Sequence, residues 1–247
     1  MIWSENPPGR HMSDDRPFDP PHDSDARRIL RPRHALDGFP AAGSVGATAL
    51  GLAATIGAPD RRAGGRAPTL VVIDMQNVFG TPSSEWFTPK FADASAVIQR
   101  MLPAFGERVI LTRFVAPAQP EGEWVTFYLE WPWALVTESD PIYDLVSPFV
   151  ESGHPTVTET TFGKWGAGLE RAFADSCEVV LTGVATDCCV LSTALAAADA
   201  GVRVRVVADG CAGSTDANHQ RALDTMAGWA PPLIEITDSE SVLANFT

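Results

Sequence analysis

Leu181-Thr-Gly-Val-Ala-Thr-Asp-Cys-Cys-Val190 runs straight on into Leu191-Ser-Thr-Ala-Leu-Ala-Ala-Ala-Asp-Ala200. An apolar strand ends at a glycine, a short polar turn follows, and an alanine-rich helix is predicted from Cys188 to Ala200. A thiol at the head of that helix sits among backbone N–H groups without helical partners and in the positive end of the helix dipole. Such a setting favours thiolate, the nucleophilic form of cysteine. The chemistry of the chain is therefore expected at Cys188 or Cys189, and Thr186 and Asp187 are expected to cap the helix.

Working outward, the same alternation repeats. Strands are predicted at Thr69 to Asp74, Arg108 to Arg113, Pro155 to Thr158, Glu178 to Thr182, Val202 to Ala208 and Leu233 to Ile236. Helices are predicted at Phe91 to Phe105, Gly166 to Asp175, Cys188 to Ala200 and Asp216 to Trp229. Strands alternating with such helices imply a three-layer α/β/α domain with a mainly parallel sheet, spanning residues 67–247. Sites in such sheets form at the carboxyl ends of strands, where both Asp74 and the Gly183–Cys189 turn lie. No glycine-rich phosphate loop follows the first strand, which argues against nucleotide binding.

Two segments break the pattern. Residues 1–66 are rich in Pro, Asp, Arg and His and read as a disordered or loosely docked extension. Within them Arg27-Arg28 precedes a run of small apolar residues, the rough shape of a twin-Arg export signal. Pro117 to Asp140 reads as an irregular insert. Its Trp124, Phe127, Tyr128 and Trp131 fall at helical spacing as one apolar stripe. That stripe either packs on the core or a partner, or forms a lid with Glu123 and Glu130 placed to meet a cationic group.

The net charge is −13, carried by residues beyond 66, which argues against a nucleic-acid partner and an anionic membrane surface. The four cysteines lack metal-ligand spacing, and adjacent Cys188 and Cys189 are poorly placed to bridge. A reducing compartment, and so a cytoplasmic location, fits best, with export as the alternative. Arg outnumbers Lys 16 to 2, so any lysine-dependent chemistry must use Lys90 or Lys164.

Val71-Val-Ile-Asp-Met-Gln-Asn-Val-Phe79 together with Thr182-Gly-Val-Ala-Thr-Asp-Cys-Cys-Val190 resembles the isochorismatase-like cysteine hydrolase superfamily, over roughly Pro68 to Ile236. That family includes nicotinamidases, N-carbamoylsarcosine amidases, biuret hydrolases and streptothricin hydrolase. The resemblance implies Cys189 as nucleophile, Asp74 as base, and a cis peptide at Val184–Ala185. It also implies an oxyanion hole made by the N–H groups of Ala185 and Cys189. Thiolate attack on an amide carbonyl, with the Asp relaying the thiol proton to the leaving nitrogen, would cleave an amide or ureide C–N bond of a small molecule. No cofactor is implied, and the Asp-x-His metal motif of nicotinamidases is absent between Asp74 and Glu151. Relatives often form dimers or tetramers, so a homo-oligomer is expected.

The third catalytic residue departs from the family pattern. In Glu159-Thr-Thr-Phe-Gly-Lys-Trp165, Glu159 stands where the family has its lysine, and Lys164 lies five residues later. Three readings stay open. Lys164 reaches into the site; or the site runs without lysine, with Glu159 altering its chemistry beside a compensating cation such as Arg113; or the chain is a catalytically altered or inactive binding protein. Gln76 and Asn77 are expected to orient Asp74, bind substrate or only form the turn. Trp86, Trp124, Tyr128 and Glu159 complete the candidate substrate contacts. Cys177 and Cys211 read as inert buried thiols, and His154 and His219 as surface residues without partners.

Overall fold

The computed structural model describes residues 67–173, 176, 178–229 and 231–246. The extension 1–66, its twin-Arg motif and Cys177 lie outside the described residues. Six strands form one sheet in the order β3-β2-β1-β4-β5-β6, and every pairing is parallel. They are β1 (Thr69–Ile73), β2 (Val109–Phe114), β3 (Thr156–Glu159), β4 (Glu178–Val184), β5 (Arg203–Ala212) and β6 (Ile234–Thr237).

The central strands are predominantly apolar because both faces are covered. All five residues of β1 are buried, as are Val179 to Val184 of β4. Helix α1 is the single turn Asn77–Gly80, and α2 spans Phe91–Phe105. The buried residues of α2 include Phe91, Ala94, Val97, Ile98, Met101 and Phe105, a 3.6-residue stripe laid over β1, β4 and β5. Further helices are α3 (Glu123–Glu130), α4 (Ala167–Ala172), α5 (Leu191–Asp199), α6 (Asp216–Trp229) and α7 (Ser239–Leu243).

The chain steps from β1 outward to β2 and β3, crosses back to β4, and then steps the other way to β5 and β6. Right-handed crossovers put connections of opposite direction on opposite faces, which yields three layers. The reversal falls between β1 and β4, the place where sheets of this kind form their sites.

The β1–β4 register is fixed by contact: Ile73 lies opposite Gly183. Gly183 has φ +108, and a Cβ there would stand 2.1 Å from the Ile73 carbonyl oxygen. Only glycine permits that approach, and it sets Asp74 beside the start of the cysteine turn.

Three expectations need correction. The segment from Pro117 to Asp140 is not irregular throughout, since Glu123–Glu130 is an α-helix whose aromatic stripe gives it something to pack on. The helix predicted from Gly166 to Asp175 is the shorter Ala167–Ala172. The third concerns the cysteine pair: Thr186–Val190 is a π-helical turn, and regular α-helix begins only at Leu191. The Val190 N–H reaches back five residues to the Ala185 carbonyl, so the cysteines lie in a widened turn before the α-helix.

Gly183→Ala combines a positive φ with a backbone clash. We expect a loss of about 3 kcal/mol or more, read as a melting temperature lower by roughly 10 °C.

Candidate active site

Asp74 follows the last residue of β1 and is completely buried, with φ +50. Its backbone N–H donates to Thr112 Oγ1 at 3.2 Å, and the Thr112 hydroxyl donates to Asp74 Oδ1 at 2.6 Å. Thr112 lies on β2, the next strand, so the hydroxyl fixes both the main chain and the carboxylate. Oδ2 faces Lys164 Nζ at 3.0 Å. That contact is an ion pair by distance but not a hydrogen bond by direction, and Oδ2 has no donor aimed at it. A buried carboxylate oxygen with a cation beside it and an open lone pair can accept a proton.

Lys164 is 0 % exposed, which rules out an exposed lysine at a helix start. Its ammonium donates to the Thr161 carbonyl at 2.8 Å and lies 5.0 Å from the Phe114 ring centroid. A buried charge requires such partners. Its backbone N–H donates to Thr193 Oγ1 at 2.9 Å, and the Thr193 hydroxyl donates to the Cys189 carbonyl at 2.6 Å. One hydroxyl on α5 thus joins the lysine loop to the cysteine turn.

Cys189 is buried within the field of both charges. Its thiol is pushed well up from the ordinary range, foremost by a hydrogen bond with the Cys188 thiol, then by burial and by the charge of Asp74. Lys164 opposes these effects without reversing them. Burial and the neighbouring groups thus oppose the thiolate that the turn's dipole favours. The peptide bond Val184–Ala185 is cis and leads directly into this turn.

The remaining candidates divide. Gln76 is fully buried and donates both amide hydrogens, to the Phe114 carbonyl at 2.8 Å and the Tyr143 carbonyl at 2.7 Å. Its oxygen accepts from the Phe114 N–H at 2.8 Å. Of its expected roles, orienting the Asp74 turn fits this geometry; with both donors spent, a substrate contact does not. Asn77 likewise spends a donor on the Pro141 carbonyl. Glu159 is not brought to Asp74: its carboxylate lies against Gly166 and Gly168 at the start of α4. Arg113, the proposed compensating cation, donates to Thr158 Oγ1 and the Glu138 carbonyl instead.

Trp86 is buried among Phe79, Phe114, Phe127, Trp131 and Trp133. Trp124 and Phe127 of α3 close on Phe162, two residues before Lys164, at ring-centroid distances of 5.1 and 5.7 Å. Tyr128 is buried beside Trp124, and among the described residues its hydroxyl has no hydrogen-bond partner. The aromatic stripe thus packs on core rings that reach Lys164 through Phe114, while Glu123 and Glu130 are exposed. Cys211 is a buried thiol pushed well up by burial.

Sequence reasoning missed Thr112 and Thr193. Each is a lone hydroxyl on an otherwise apolar strand or helix face, and that was the available signal. It also misplaced Thr186, Asp187 and His219. Neither Thr186 nor Asp187 caps a helix. Thr186 pairs with His219, and Asp187 accepts from the Ser214 N–H and hydroxyl. Among the described residues, no three His, Cys, Asp or Glu side chains group to hold a metal ion. No described helix is long and apolar enough to cross a membrane.

Comparison with known proteins gives a consistent picture. The isochorismatase domain matches residues 68–241. Among solved structures, a cysteine hydrolase from Pseudomonas syringae pv. phaseolicola 1448A superposes with a TM-score of 0.64 at 20% identity, covering 72% of this chain and 92% of its own. An isochorismatase-like hydrolase from Alkaliphilus metalliredigens gives 0.61 at 18% identity, covering 74% and 100%. A nicotinamidase from Bacillus subtilis gives 0.57 at 16% identity, covering 69% and 99%. At these identities the likeness is one of fold. No curated protein sequence matches the chain.

Lys164→Met leaves the Asp74 charge buried without its partner, and we expect a loss of about 3–5 kcal/mol in denaturant unfolding. Adding Asp74→Asn should recover part of it, giving a coupling of at least about 1 kcal/mol. Where the variants fold, the pH at which Cys189 becomes alkylated should move down in Cys188→Ala and up in Lys164→Met. The first change removes an influence that raises the thiol and the second removes one that lowers it.

Proposed function

The chain belongs to the isochorismatase family, and from that premise we propose that it is a cysteine hydrolase cleaving an amide or ureide C–N bond of a small molecule. The observation that carries the reading is the completely buried Lys164–Asp74 pair at 3.0 Å, whose charges both act on the buried Cys189 thiol.

With burial and its neighbours holding the Cys189 thiol up, attack needs a base at hand. Asp74 Oδ2 takes the Cys189 proton, and the thiolate attacks the substrate carbonyl carbon. Lys164 stabilises the negative charge at sulfur as the proton leaves. The N–H groups of Ala185 and Cys189 receive the developing oxyanion, an interaction worth about 3 kcal/mol per donor. Asp74 returns its proton to the leaving nitrogen, the C–N bond breaks, and a thioester remains. Water then attacks the thioester while Asp74 takes a proton from it. The acid product leaves, and the sulfur regains its hydrogen.

The rival reading, an altered or inactive binding protein, rested on a missing lysine. Lys164 removes that motive by reaching Asp74 from a position five residues later in the chain than the family pattern. Burial of both charges strengthens their interaction relative to the same pair in water.

The test is a panel of small amides and ureides, followed by amine release and by intact mass. Turnover with a transient acyl adduct on Cys189 is expected. Cys189→Ser and Asp74→Asn should each lower kcat by about a thousandfold or more, while Cys188→Ser keeps turnover. Turnover that survives in Cys189→Ser would overturn the mechanism.

A further inference from the structure

The cysteine turn is held on its outer side by two consecutive residues. Asp187 accepts from the Ser214 N–H at 2.9 Å and the Ser214 hydroxyl at 2.6 Å. Thr186 Oγ1 lies 2.8 Å from His219 Nδ1. Gly213 makes the second contact possible, because a Cβ there would stand 2.8–2.9 Å from His219. Thr186 is completely buried, and among the described residues its hydroxyl has no other hydrogen-bond partner. If His219 donated to it, the hydroxyl hydrogen would be buried without an acceptor. The satisfied arrangement has Thr186 donating to an unprotonated Nδ1.

We propose that His219 is a positioning residue for the nucleophile. Its Nδ1 accepts the Thr186 hydroxyl and fixes the Ala185–Thr186 segment, which opens the turn that carries Cys189. The inference rests on the role proposed above for Cys189.

The ring is half-buried. Burial first, and then the charge of Lys90, hold His219 below the usual histidine range, against the opposing charges of Asp187 and Asp216. Lys90 is itself paired with Asp216 at 2.9 Å. His219 is therefore neutral at neutral pH. As pH falls through its lowered range the ring gains a proton, Nδ1 turns from acceptor to donor, and the Thr186 hydroxyl loses its acceptor. The hold on the turn is present above that range and lost below it.

Alkylation of Cys189 by iodoacetamide, followed by intact mass from pH 5 to 9, reads the thiol without any substrate. A failure of the amide panel therefore leaves this test standing. His219→Ala is expected to slow alkylation about fivefold to tenfold at pH 8, the equivalent of about one hydrogen bond. His219→Asn, which restores an acceptor near Nδ1, is expected to recover most of that loss. The rate of the parent relative to His219→Asn should fall as pH drops from 7 to 5. Thr186→Val should reproduce His219→Ala, and the double variant should add nothing further. Equal rates in the parent, His219→Ala and Thr186→Val at every pH would overturn the proposal. So would a loss of equal size in His219→Asn and His219→Ala with no change in pH dependence, which marks a packing role only.

Discussion

A lysine and an aspartate, both withdrawn completely from water, face each other at the point where the sheet reverses direction. Taking two such charges out of water costs several kcal/mol per ion before their attraction is counted. The surroundings are organised to offset that cost. Thr112 satisfies Asp74 Oδ1, the Thr161 carbonyl takes an ammonium hydrogen, and the Phe114 ring offers its negative face to the remaining charge. Gln76 pins Phe114 by both its N–H and its carbonyl, so the ring under the lysine is fixed by the residue two places after the aspartate. The ion pair depends on the strands, and the strand ends are tied together around the ion pair.

Much of this was legible in the residues. The alternation of apolar strands and amphipathic helices leads directly to the parallel sheet. Asp74 and the Gly183–Cys189 turn, each after an apolar run, stand at neighbouring carboxyl ends. The lysine was harder. The family spacing put Glu159 in its place and left Lys164 as one of three readings; the chain after β3 turns so that Glu159 packs toward α4 and Lys164 swings back over Phe114. Loop geometry decided that, and spacing along a chain does not encode how a loop doubles back. The forces on Cys189 show a related limit: the dipole of a turn can be seen in a sequence, whereas burial and the charge of Asp74 beside the thiol belong to the folded site.

The aromatic segment illustrates a third limit. Trp124, Phe127 and Tyr128 at helical spacing announced an apolar stripe correctly, but the stripe alone did not say where it would lie. Its contacts with Phe162 and Trp86 join it to the rings around Lys164, so a segment that read as an irregular insert packs beside the charged site. The opposite face of α3 leaves Val125 and Leu129 exposed.

Thr193 gives the site a mechanical property. A single hydroxyl receives the Lys164 N–H and passes its own hydrogen to the Cys189 carbonyl. The main chains that carry the cation and the sulfur are therefore braced to the same point on α5, so a change at this one hydroxyl reaches both of them at once.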